Sequence, residues 1–65
     1  MVEFQISLAA ARVNARLTQK EAANALKVSN KTLSSWEKGC SFPDAQQIKQ
    51  ICFLYGIPYD YIKFF

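Results

Sequence analysis

Two short polar runs hold most of the hydrogen-bonding chemistry of this 65-residue chain: Thr18-Gln19-Lys20-Glu21, and Ser29-Asn30-Lys31-Thr32 continued by Ser34, Ser35, Glu37 and Lys38. An amide side chain carries a donor and an acceptor side by side, and a lysine carries a point charge with three donors. Such groups recognise by hydrogen bonding; alone they do not break bonds. The catalytic inventory is thin. There is no histidine, no catalytic carboxylate pair and no glycine-rich phosphate loop, so no enzyme activity is expected. Without histidine, Cys40 and Cys52 cannot complete a four-ligand zinc site, and no cofactor is expected.

The charge around these runs is uneven. Net charge is +3 and the isoelectric point about 9.1. Arg12, Arg16, Lys20, Lys27, Lys31 and Lys38 stand against Glu21 and Glu37, leaving +4 in the middle of the chain and −1 elsewhere. A concentrated positive region suits a polyanionic partner. No stretch approaches the roughly 20 apolar residues of a membrane span. No basic start followed by an apolar run marks a secretory signal. A cytoplasmic location is expected, where the two thiols stay reduced and a Cys40–Cys52 disulfide is disfavoured.

The elements that must position these groups read as helices. Proline and glycine occur only at Gly39, Pro43, Gly56 and Pro58, and they punctuate the second half. Phe4 to Leu8 alternates weakly, but the alanines that follow favour helix. Helix one is expected from about Ser7 to Ala15, with Phe4, Leu8, Ala11, Arg12 and Ala15 as an inward stripe. Arg12 is anomalous there, because a charge on an inner face needs a partner. Thr18 and Glu21 form a capping box for helix two, which runs to about Leu26 with Ala22, Ala23 and Leu26 inward. After Lys27-Val28-Ser29, Ser29 caps helix three, Asn30 to Lys38. Leu33 and Trp36 point inward, and Lys31, Ser34, Ser35 and Lys38 lie on the other side. Asp44 caps helix four, whose Ile48, Ile51, Cys52 and Tyr55 repeat at helical spacing. Pro58 opens a short fifth helix with Tyr59, Ile62 and Phe65. The expected fold is all-α: one domain over residues 1–65, a compact bundle of about five short helices containing a helix-turn-helix.

The run Leu17-Thr18-Gln19-Lys20-Glu21-Ala22-Ala23, then Val28 to Gly39 and Pro43, resembles the lambdoid-phage repressor and Cro (XRE) family of regulators. The resemblance extends from about Leu8 to Ile62. It implies that Gln19 contacts a DNA phosphate, that Ala23 must be small for helix packing, and that Leu33 and Trp36 dock the recognition helix. It also implies that Arg12 pairs with Glu37, tying helix one to helix three. Two departures stand out. Lys27 and Arg16 occupy positions where the family often has glycine, so Lys27, and either Asn14 or Arg16, is expected in a left-handed conformation.

A recognition helix presents its first residues to base edges in the major groove. Asn30, Lys31, Thr32, Ser34 and Ser35 are therefore the expected readers; asparagine suits adenine and lysine suits guanine. Gln19, Lys20, Lys27 and Lys38 are the expected phosphate contacts. Arg16, Lys49 and Lys63 read as solvated surface charges, and Trp36 as core. Phe53, Tyr59, Tyr61, Phe64 and Phe65 are too many aromatics for one small core, and the economical partner for the surplus is a second copy. The expected function is a sequence-specific DNA-binding transcriptional regulator, a phage or mobile-element repressor acting as a homodimer on its operator. The alternative is a protein-interaction module, an antirepressor or adaptor, that keeps the fold without DNA binding.

Overall fold

Local capping chemistry sets where each helix begins. In the computed structural model, which describes residues 4–64, Ser7 caps α1 (Leu8–Asn14) and Thr18 caps α2 (Gln19–Leu26). Ser29 caps α3 (Asn30–Lys38) and Asp44 caps α4 (Ala45–Tyr55). Two of these are reciprocal boxes. Glu21 N–H donates to Thr18 Oγ1 at 3.1 Å while Thr18 N–H donates to Glu21 Oε1 at 2.9 Å, and the Asp44–Gln47 pair is built alike. The bonds from the Thr18 backbone and side chain hold the Glu21 carboxyl below its ordinary pKa. Gly39 (φ 77°) and Gly56 (φ 66°) end α3 and α4 in the left-handed region. Arg16 (φ 61°) and Lys27 (φ 60°) take that conformation without being glycine, at roughly 1–2 kcal/mol each.

The core is assembled from one face of every helix. Leu8 and Ala11 of α1, Ala22, Ala23 and Leu26 of α2, Leu33 and Trp36 of α3, and Ile51 and Tyr55 of α4 are buried with Ile62. Leu33 and Ile51 have no exposed surface. The alanines let α2 lie close against α3, which sets the geometry of the helix pair. Ile48 and Cys52 of the expected α4 stripe are only half-buried. Cys40 and Cys52 are free thiols, and burial pushes the Cys52 thiol up. No helix among the described residues is long and apolar enough to cross a membrane.

The all-α class stands, with two corrections. There are four α-helices among the described residues; the expected fifth is a single 3-10 turn, Tyr59–Tyr61. Ile62 leaves that turn as strand β2 (Ile62–Lys63) and pairs in parallel with β1 (Ile6–Ser7), in the register Ile6↔Ile62 and Ser7↔Lys63. This pairing fastens the two ends of the described chain together. It also explains Phe4, which is 65% exposed. Phe4 precedes the Ser7 cap, lies outside any helix, and so escapes the helical phase that would have turned it inward. Phe65 lies outside the described residues.

Candidate nucleic-acid interface

The turn between α2 and α3 is closed by backbone bonds. Val28 N–H donates to Ala23 O at 3.0 Å and Lys27 N–H to Asn24 O at 3.2 Å, with Lys27 in the left-handed corner. Ser29 then accepts from Thr32 N–H at 3.0 Å. Because Thr18 and Ser29 each cap their helix, Gln19 and Asn30 are both first helical residues, and the fold brings those two starts together.

A chain of polar side chains runs from the interior to that meeting point. Arg12 Nε donates to Glu37 Oε2 at 2.7 Å and Arg12 Nη1 to Leu17 O at 2.9 Å. The two charged side chains are 15% and 7% exposed, so each depends on the other for solvation. The other oxygen of Glu37, Oε1, accepts from Gln19 Nε2 at 3.1 Å and from Arg12 Nη2 at 3.5 Å. Gln19 Oε1 in turn accepts from Asn30 Nδ2 at 3.2 Å. Helix one, helix two and both ends of helix three are thus joined through four side chains. Beneath them lies Tyr55, buried with its hydroxyl unpartnered among the described residues. Burial, aided by the Glu37 charge and opposed by Arg12, pushes its phenol up to about 12.

The other expected contact residues are distributed as follows. Lys31 is exposed beside Asn30 at the start of α3. Thr32, Ser34 and Ser35 are half-buried. Thr32 Oγ1 shares a 2.8 Å hydrogen bond with Ser29 Oγ, and Ser35 Oγ accepts from Ser41 Oγ at 2.8 Å. Lys20, Lys27 and Lys38 are exposed. They do not gather at one point: Lys20 follows Gln19 at the start of α2, Lys27 lies beyond the far end of α2, and Lys38 is the last residue of α3. The bonds Gln19–Glu37 and Gln19–Asn30, and the Ser41 tie, were not foreseen from sequence. The shared first-residue position of Gln19 and Asn30 was the available signal for the second; Ser41 lies in irregular chain, where periodicity has nothing to report.

Comparison with known proteins is consistent with this geometry. A family model described as a helix-turn-helix domain matches residues 6–63. Over 52 residues, 80% of its length, the chain is 38% identical to the HTH-type transcriptional regulator ImmR of Bacillus subtilis (strain 168). The match spans 41% of that relative. No solved structure gives a significant match.

Proposed function

The chain belongs to the helix-turn-helix domain family, of the phage-repressor and Cro type, and from that premise we propose that it is a sequence-specific transcriptional regulator of a phage or mobile element, acting in the cytoplasm, that places α3 in the major groove of double-stranded DNA. The observation that carries this reading is the Arg12–Glu37–Gln19–Asn30 chain. Counting its donors and acceptors shows why. Asn30 gives one of its two amide N–H groups to Gln19 and keeps the other, together with Oδ1. That remaining pair is what a bidentate contact with adenine requires. Gln19 gives one N–H to Glu37 and keeps one that can donate to a phosphate oxygen. Both amides are therefore held in place before DNA arrives and remain able to bind it. Lys31 supplies a second base-reading group, Thr32, Ser34 and Ser35 line the groove-facing side, and Lys20, Lys27 and Lys38 neutralise phosphates. Two copies read two half-sites of one operator.

The test is a fluorescence titration of duplexes selected from a random pool, at two salt concentrations. If the three lysines each neutralise one phosphate, log affinity falls with log salt at a slope of about −2.7 per copy. Binding that is absent, or flat with salt, would sink the proposal.

A further inference from the structure

We infer that Ser41, which lies outside the helix-turn-helix, is a positioning residue for base readout: it holds the Ser35 hydroxyl as a hydrogen-bond donor, so that α3 selects a guanine or a thymine where Ser35 meets the groove. The inference rests on the DNA-binding reading above and adds to it one residue and the sense of one contact.

A serine hydroxyl carries one donor and two acceptor sites, and by itself it reads either kind of base edge. Three residues of α3 carry hydroxyls, and they are held differently. Thr32 shares its hydroxyl with the helix cap Ser29, at 2.8 Å. Ser34 makes no side-chain hydrogen bond among the described residues. Ser35 accepts from Ser41 Oγ at 2.8 Å, and Ser41 stands beyond the end of the helix.

The way α3 ends brings Ser41 there. Gly39 is left-handed, with φ 77°, and reverses the chain. Gly39 N–H and Cys40 N–H both donate to the Ser35 carbonyl, the latter at 3.0 Å. Such bonds are the usual accompaniment of a glycine that closes a helix. Ser41 is the next residue, so it returns to the level of Ser35. Buried Pro43 follows two positions later and anchors the segment. Both serines are half-buried, which shields their bond from competing water.

The bond gives Ser35 its sense. Ser41 donates and Ser35 accepts, so Ser35 keeps its own proton. A serine inside a helix often spends that proton on a carbonyl one turn back. Ser35 makes no such bond among the described residues. A hydroxyl that accepts also becomes a stronger donor, because hydrogen bonds in a chain polarise one another. Ser35 stands four residues after Lys31 and therefore on the same face of α3. A donor on that face suits guanine and thymine, whose polar major-groove atoms are all acceptors. Adenine and cytosine each present an amino donor there.

The experiment titrates the full chain and its variants against a duplex recovered by selection from a random pool, with each base pair of the site then replaced in turn. Circular dichroism checks that each variant folds. Ser35→Ala is expected to lose about 3- to 10-fold of discrimination at one guanine or thymine, the worth of one neutral hydrogen bond. Ser41→Ala loses the same discrimination at the same position and keeps it elsewhere, with the salt slope unchanged. Ser41→Cys, of similar shape but a weak donor, follows Ser41→Ala, whereas Ser41→Thr restores the preference. The double variant falls no further than Ser35→Ala, because Ser41 acts through Ser35. A uniform loss over all sequences in the Ser41 variants, or additive losses in the double variant, overturns the positioning role. A preference for adenine or cytosine at that position overturns the donor sense. Failure of the unaltered chain to bind any duplex overturns the DNA reading itself, a result distinct from relaxed preference at one base pair.

Discussion

The two ends of this domain solve opposite problems. At the junction of α2 and α3, polar groups are crowded together and each is tied by hydrogen bonds to the next, from Arg12 out to Asn30. Around Phe42 and Tyr59, apolar rings stand in solvent. The first region is ordered by hydrogen bonds; in the second, order comes from ring contact, with Tyr59 stacked on Phe64 at 5.7 Å. Precise hydrogen-bond readout benefits from groups held in advance, because less freedom is lost on binding. Apolar contact has no directional demand, so the aromatic region needs no such network of hydrogen bonds.

The comparison is broken most severely at Glu37. Glu37→Ala leaves Arg12 nearly buried without its carboxylate and releases Gln19, and is expected to cost about 3–5 kcal/mol by urea unfolding. A loss below about 1 kcal/mol would show that the polar chain is ornamental to stability. Tyr55→Phe tests the layer beneath. Removing a buried hydroxyl with no partner should raise stability by about 1 kcal/mol at neutral pH. It should also change the alkaline limb. Burial pushes the folded Tyr55 phenol up to about 12 from an ordinary 10.0, so between those values unfolding releases its proton. Stability present below pH 10 is then lost as pH rises toward 12. Melting curves between pH 9 and 11 should fall less steeply for the variant; parallel curves would refute the assignment. The smallest effect is expected at the turn. Lys27→Gly relieves a left-handed lysine but gives the unfolded chain more freedom, for a net gain of about 0.5 kcal/mol. The same variant should flatten the salt slope of DNA binding by about 0.9.

Most of the helical layout was legible because its determinants lie within a turn of each other. Thr18 with Glu21, Ser29 with Thr32, and Asp44 with Gln47 are contacts three residues apart. Leu33 and Trp36 were placed inward by helical phase alone, and both are buried. Phase failed where there was no helix to carry it: Phe4 was assigned to a stripe that begins only at Leu8, and Ile62 to a helix that is a single 3-10 turn followed by a strand. Of the candidate interface, the residue types, their helix and, through the resemblance, the Arg12–Glu37 pair were visible, but not the bonds that Gln19 makes.

Capping, periodicity and turn chemistry are local, so the order of residues along the chain was enough to determine the four helices, the polar face of the third, and the anomaly of a charged Arg12 among inward residues. The Arg12–Glu37 pairing itself followed from the family resemblance, since spacing along the chain does not imply it. The tertiary structure alone decided that Gln19 stands between Glu37 and Asn30, that Ile6 pairs with Ile62 across 56 positions, and that Phe42 and Tyr59 share one groove. Each of these joins groups that sequence spacing does not relate, and only the packing of helices on the common core brings them within contact distance.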